Sequence, residues 1–299
     1  MALIHYNNCP VCGSDAIGVH EIIRDYSVSK ETFPVWHCRN CSFLFTQDIP
    51  DQDSIGSYYQ SADYISHNDT KKGIINTLYH LVRRYTLRLK RKMIVRETNL
   101  KSGHLLDIGA GTGAFLNEMK HSGWQVTGLE PDAGARTIAR DKYQLQLLEP
   151  STLFRLESGK FDAITMWHVL EHVHALQEYI QTIVQLLKPG GRLIIAVPNH
   201  TSRDAEYYKT YWAAWDLPRH LYHFSPASMR TLMQLNGLEI DKIIPMWFDS
   251  FYVSMLSETY KQGKPAYLNA CWQGLRSNQQ ALSDAERASS LIYLIRKIN

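Results

Sequence analysis

The chain has 299 residues, enough for one large domain and a small module. A hydrophobic fraction of 44% is that of a globular protein, and a net charge of +3 neither demands nor excludes a polyanionic partner. Met1 to Asn8 is too short and mixed for a signal peptide. The most apolar run, Ile243 to Leu256, is too short to span a bilayer and carries Asp249, so a cytoplasmic, membrane-free protein is expected.

Four of the five cysteines fall in two pairs, Cys9-Pro10-Val11-Cys12 and Cys38-Arg39-Asn40-Cys41. A two-residue spacer lets both sulfurs of a pair face one metal, so Cys9, Cys12, Cys38 and Cys41 predict a zinc ribbon over residues 1–48. Four thiolates leave no open position for water, which makes the zinc structural rather than catalytic. A disulfide pair or a redox motif is the alternative, and a cytoplasmic setting disfavours the first.

Residues 49–99 are read as a lid segment followed by a basic amphipathic helix. Tyr58, Tyr59, Tyr64 and His67 lie in a stretch with no clear period. The spacing of Leu78, Leu81, Val82, Tyr85, Leu89 and Met93 predicts one helix over 71–98. Arg83, Arg84, Arg88, Arg91 and Lys92 lie off that stripe, either as a solvated face or as an RNA-binding surface beside the zinc module.

Residues 100–299 alternate strands and helices. Leu105-Leu106-Asp107-Ile108 reads as a buried strand that runs into Gly109-Ala110-Gly111-Thr112-Gly113 and then a helix over 114–121. Such a turn lets a ligand approach the backbone closely, and the helix start offers free N–H groups to an anion. A second strand, Gln125 to Leu129, ends at Glu130-Pro131, where a carboxylate accepts hydrogen bonds from ribose hydroxyls. By itself the glycine pattern also fits a nicotinamide or flavin site. A helix over 132–140, a short strand over 145–148 ending near Glu149, a strand over 161–166, a helix over 175–187 and a strand over 192–197 follow. An aromatic insertion occupies 199–225, and a helix over 226–236 and a strand over 238–245 continue the alternation. Residues 250–287 read as helical, and 289–296 as a last strand.

In order and spacing, the Asp107–Gly113 turn, the segment Phe161 to Val173 and Lys188-Pro189-Gly190-Gly191 resemble the class I S-adenosylmethionine-dependent methyltransferases. The resemblance spans roughly residues 100 to 245. It implies a doubly wound, Rossmann-like α/β sheet of seven strands with an antiparallel last strand. It also implies S-adenosylmethionine as cofactor, held by Asp107, Gly109, Ala110, Gly111, Gly113, Glu130, Pro131, Glu149, Trp167 and His168, with Tyr59 and Tyr64 in a lid. The tyrosines have a plainer reading, as a linker packed on the core.

Catalytic chemistry is expected at His168, Glu171 and His172, because a histidine near neutral pKa is a suitable base. His168 and His172, four apart, would share a face if the turn were helical. The segment resembles the Glu-His pair of sugar C-methyltransferases, which also carry an N-terminal four-cysteine module. It resembles equally the cation-binding E-x-x-E-H motif of ubiquinone-biosynthesis O-methyltransferases and plant small-RNA methyltransferases, with His168 in place of the first Glu. A packing or capping role is the plain alternative. Trp215, Arg219, His220 and His223 of the insertion are expected to bind the acceptor, with a packed cap as alternative. The expected function is S-adenosylmethionine-dependent methylation of a small polar molecule, a nucleotide-linked sugar or glycan precursor first. Ribosomal or transfer RNA methylation and a non-catalytic cofactor-binding protein are the alternatives.

Overall fold

The computed structural model describes residues 3–59 and 74–298, with backbone alone for 74–81. The strands are β1 (Leu3–Ile4), β2 (Ile17–Arg24), β3 (Thr32–Cys38), β4 (Leu44–Thr46), β5 (Ile49–Pro50), β6 (His104–Ile108), β7 (Gln125–Leu129), β8 (Phe161–Trp167), β9 (Leu187–Pro198), β10 (Tyr222–His223), β11 (Leu238–Pro245) and β12 (Ser290–Lys297). The helices are α1 (Ile74–Thr98), α2 (Ala114–His121), α3 (Ala133–Tyr143), α4 (Leu176–Leu186), α5 (Arg203–Tyr208), α6 (Pro226–Leu235), α7 (Asp249–Gln262) and α8 (Tyr267–Ser283). Among the described residues no helix is long and apolar enough to cross a membrane.

The main sheet has the order β11-β12-β9-β8-β6-β7, with β12 antiparallel. β6 pairs in parallel with both β7 and β8, as a doubly wound sheet requires. Among the described residues the sheet has six strands, not seven. The strand expected over 145–148 is reduced to a single bridge, Leu129 to Leu148. Leu148 N–H donates to Gly128 O and Glu130 N–H to Leu148 O, which meets the backbone's needs without a full strand.

The chain forms two compact units. One comprises Asn68–Val169, Glu178–Ile195 and Leu294–Asn299. Here Leu105, Leu106, Ala163, Ile164, Leu193 and Ile194 are fully buried, the near-continuous apolar runs of central parallel strands. Helix α1 turns inward through Met93 and Ile94, whereas Tyr85 and Leu89 of the predicted apolar stripe are exposed. Lys90, off that stripe, lies with its ammonium over the Trp167 ring.

The other unit comprises Met1–His67, Leu170–Gln177 and Ala196–Tyr293. Its four-stranded antiparallel sheet has the order β10-β4-β3-β2. Strand β10, from the 199–225 insertion, pairs Tyr222 with Phe45 and His223 with Leu44 of the N-terminal segment. Phe43, Phe45, Tyr222 and Phe224 are buried together around that pairing.

Candidate functional site

In the unit that carries the glycine turn, Asp107 ends β6 fully enclosed and accepts a 2.6 Å hydrogen bond from Thr165 Oγ1. The parallel register, which opposes Asp107 and Thr165, makes that bond available. Burial pushes the Asp107 carboxyl up to about 7, while Thr165 and the Lys90 ammonium pull it back. Lys90 Nζ lies 3.9 Å from the centre of the Trp167 ring, and Phe115 packs edge-on against that ring. An enclosed carboxylate beside an aromatic face is a receptor for a cation, and here the lysine ammonium takes that position.

Gly109 has φ +74, and a Cβ there would stand 2.3 Å from Val169 Cγ2, so only glycine fits. Gly111 has φ +53 and nothing within 4 Å of where its Cβ would be. The space above it is a cradle that a side chain would fill. Glu130, just past β7, accepts hydrogen bonds from Gly111 N–H at 2.7 Å and from Asp132 N–H at 3.0 Å. It therefore braces the turn, and each carboxylate oxygen keeps acceptor capacity. Burial raises its pKa above the usual carboxylate range. Arg136 donates to the carbonyls of Glu130 and Pro131 and reaches the exposed Glu149 at 3.3 Å. Trp167 Nε1 is buried with no hydrogen-bond partner. A cation receptor, an open glycine face and a strand-end carboxylate match the ammonium, main chain and ribose of S-adenosylmethionine, so the residues present fit the cofactor. Tyr64 lies outside the described residues.

In the other unit, Glu171 and His172 sit on a 3₁₀ turn over Leu170–His172. His172 Nδ1 is 2.9 Å from Arg219 O and 3.1 Å from the Tyr59 hydroxyl. His220 Nδ1 is 2.8 Å from Ala214 O. A carbonyl only accepts, so both imidazoles carry hydrogen on Nδ1, and Nε2 takes no part in those bonds. Their rings meet edge-on at 4.6 Å. Burial, with the His220 ring beside it, lowers the His172 pKa to about 4. Ligating atoms of Glu171, His172 and His220 all lie within 4.8 Å of one another.

His168 is absent from that group. Its backbone is left-handed, with φ +56, and the following turn is 3₁₀. The i, i+4 face expected for His168 and His172 therefore does not form.

Arg219 was expected to meet an acidic acceptor. Instead its side chain is fully buried and donates to Asp25 at 3.0 Å, Asp216 at 2.7 Å, Tyr58 O at 2.9 Å and the Ser27 hydroxyl. Trp215 and His223 pack on each other at 4.8 Å inside the same unit. His223 Nε2 is 3.1 Å from Thr46 Oγ1, and Trp215 donates to Lys209 O. These three have inward partners, and His220 is the insertion residue that joins Glu171 and His172. Sequence reasoning missed Lys90, Thr165, Asp25 and Thr46. Only Thr165 left a trace, as the residue that strand register sets opposite Asp107.

The four cysteines form the second centre. Cys9 Sγ lies 3.6 Å from Cys41 Sγ, and Cys12 Sγ 3.6 Å from Cys38 Sγ. Four sulfurs at bonds of about 2.3 Å around one zinc stand roughly 3.8 Å apart, so the arrangement fits the metal. Asn40 Nδ2 lies 3.6 Å from Cys12 Sγ, and Gln177 donates to the carbonyls of Pro10 and Val11. These contacts set the first knuckle.

Comparison with known proteins agrees with this geometry. The chain is 27% identical over 199 residues to a ubiquinone biosynthesis O-methyltransferase of Nitrosococcus oceani, covering 60% of this chain and 80% of the relative. It is 28% identical over 165 residues to the mitochondrial enzyme of that name from Rattus norvegicus, covering 49% and 47%. The magnesium protoporphyrin IX methyltransferase of Synechocystis PCC 6803, solved with bound S-adenosylhomocysteine, superposes with a TM-score of 0.53 at 16% identity, over 82% of this chain and 99% of that one. That likeness is one of fold. A methyltransferase-domain family model matches residues 78–243, more than half of the chain. The chain belongs to that methyltransferase-domain family and is an S-adenosylmethionine-dependent methyltransferase.

Proposed function

We propose that this enzyme transfers the methyl group to a hydroxyl oxygen of a small acceptor, with Tyr59, Glu171, His172 and His220 on the acceptor side. The carrying observation is the pair of imidazoles whose Nδ1 atoms face backbone carbonyls, with the buried Glu171 carboxylate gathered beside them. Methyl transfer from a sulfonium is an in-line displacement, and an attacking hydroxyl must lose its proton. A neutral imidazole held in one tautomer receives it. The relatives' names place their chemistry on oxygen, which supports oxygen over carbon or nitrogen. On the cofactor side, Glu130 takes the ribose hydroxyls, Gly109 to Gly113 follow the main chain of the cofactor, and Asp107 with Trp167 receives its charged end. Arg219, whose carbonyl faces His172 Nδ1, and His223, which shares Thr46 with the His220 carbonyl, position the two imidazoles from behind. The four cysteines hold a structural zinc in an N-terminal ribbon.

A second reading rests on the low pKa of His172. A base near 4 is a weak proton acceptor at neutral pH, yet it is already the neutral form that a metal requires. Glu171, His172 and His220 would hold a divalent cation, which, when bound, polarises the acceptor hydroxyl. The residues then fix the ligand geometry rather than move the proton.

One assay separates these readings: labelled cofactor offered to phenolic acceptors, nucleotide sugars and RNA, with and without chelator. His172→Ala should lower turnover about 10²–10⁴-fold while cofactor affinity stays nearly constant. Activity that a chelator abolishes and magnesium restores selects the cation; chelator-resistant activity selects the base. Turnover by His172→Ala within about threefold of the parent would remove both.

A further inference from the structure

Helix α8 presents an apolar seam to the outside. Its inward face is Ala270, Gln273, Ser277 and Ala281, all buried. Gly274 approaches α7 so closely that a Cβ would stand 2.7 Å from the Phe251 ring. The opposite face carries Leu268, Trp272, Leu275, Gln279 and Leu282, all exposed. Leu268 is 91% exposed, Leu282 78%, and Trp272 and Leu275 54% each. The spacings are four, three, four and three, the 3.5-residue repeat with which two helices pack along a seam. Nothing in the chemistry of methyl transfer calls for such a stripe.

The geometry points to a second copy of this chain as the occupant, with the two α8 helices packed antiparallel about a two-fold axis. Three observations select that partner. First, the two ends of the stripe mirror each other about its centre. Leu275 is the middle residue of the helix, and Leu268 and Leu282 stand seven residues on either side. A two-fold axis at Leu275 therefore lays the seam on itself, as an isologous interface requires.

Second, the area suffices. With the neighbouring Tyr252 and Tyr267, also exposed, the seam presents on the order of 800 Å², about the contribution of each partner to a standard interface. Third, the helix carries one charge. Arg276, with its guanidinium 5.1 Å from the Trp272 ring, is the sole charged residue in seventeen. A helix meant for a lipid surface carries a polar face rich in lysine and arginine.

The test is the molar mass of the full-length, zinc-loaded protein by sedimentation and light scattering. Wild type should be dimeric in the low micromolar range. Leu275→Asp should be monomeric up to about 100 µM, with unchanged circular dichroism and cofactor affinity. A second experiment does not depend on disruption. In a Cys271→Ser background, Leu275→Cys should form a thiol-reversible dimer under mild oxidation. Leu268→Cys should not, because its copy lies about 21 Å away along the helix axis. Wild type monomeric at about 100 µM, or equal cross-linking by both cysteine variants, overturns the proposal.

Discussion

The guanidinium of Arg219 lies between the buried Asp25 and the partly exposed Asp216, both drawn into ion pairs. Burial works against the Asp25 carboxylate, yet the arginine outweighs it and holds the pKa at about 2. This pair therefore contributes stability above the ordinary pKa of aspartate and loses it as pH falls toward 2. Arg219→Met removes the cation and strands the buried Asp25 carboxylate, which costs about 3–5 kcal/mol. Denaturant unfolding checks this, and a loss below about 1 kcal/mol would mean that water reaches the site. Glu130 makes a different prediction. It braces Gly111 and Asp132 and offers its remaining acceptor capacity to the ribose. Glu130→Ala should weaken S-adenosylmethionine binding roughly ten- to a hundredfold by calorimetric titration. Unchanged affinity would move the ribose elsewhere.

Among the elements, the N-terminal antiparallel sheet depends most on something other than its own side chains. Strands β2 and β3 form a two-stranded ladder with the irregularity between Val19 and Glu21, and Val19 and Ile22 remain exposed. Its inner face, Ile23, Phe33 and Val35, is buried in the core of the unit, but a two-stranded ladder by itself is marginal. The cysteine knuckles supply the missing constraint, and β10 adds a fourth strand. Cys38→Ser should therefore lose the metal, about one zinc per chain by elemental analysis, and lower the midpoint of thermal unfolding. A folded preparation of the parent protein that contains no metal and resists a chelator would show that the cysteines are only packed.

At the scale of the whole molecule, buried histidines gather in the unit that contains the N-terminus. Burial lowers His200 to about 4, with His20 and His37 adding repulsion. Burial lowers His223 further, with His220, His200 and His20 beside it. Both are neutral when folded and take up protons when unfolded below about 6.5. Unfolding thus binds protons, and stability falls as pH drops from about 6.5 toward 4. Hydrogen exchange should show this unit opening first at about pH 5, whereas the cofactor unit keeps its protection. Equal protection of both units across that range would mean that the two rings are hydrated.

What the sequence alone determined is what lies within a few residues of chain. The turn Gly109 to Gly113 was legible because positive φ and close approach demand glycine locally. The cysteine pairs were legible because a two-residue spacer is itself the geometry of a metal knuckle. Helix α6 and strand β11 were legible as the continuation of the strand–helix alternation. The tertiary structure decided whatever depends on partners far along the chain. Arg219 and Asp25 are 194 residues apart, and Thr46 and the His220 carbonyl 174. No periodicity announces such pairings, so an arginine that reads as a ligand anchor becomes a buried brace. The third member of the Glu171 and His172 cluster was settled in the same way. His168 is nearer in sequence, but its left-handed backbone breaks the helical face, and the insertion brings His220 instead. The missing seventh strand has the same origin, since one bridge at Leu148 already satisfies the edge of β7 and nothing local forces the rest.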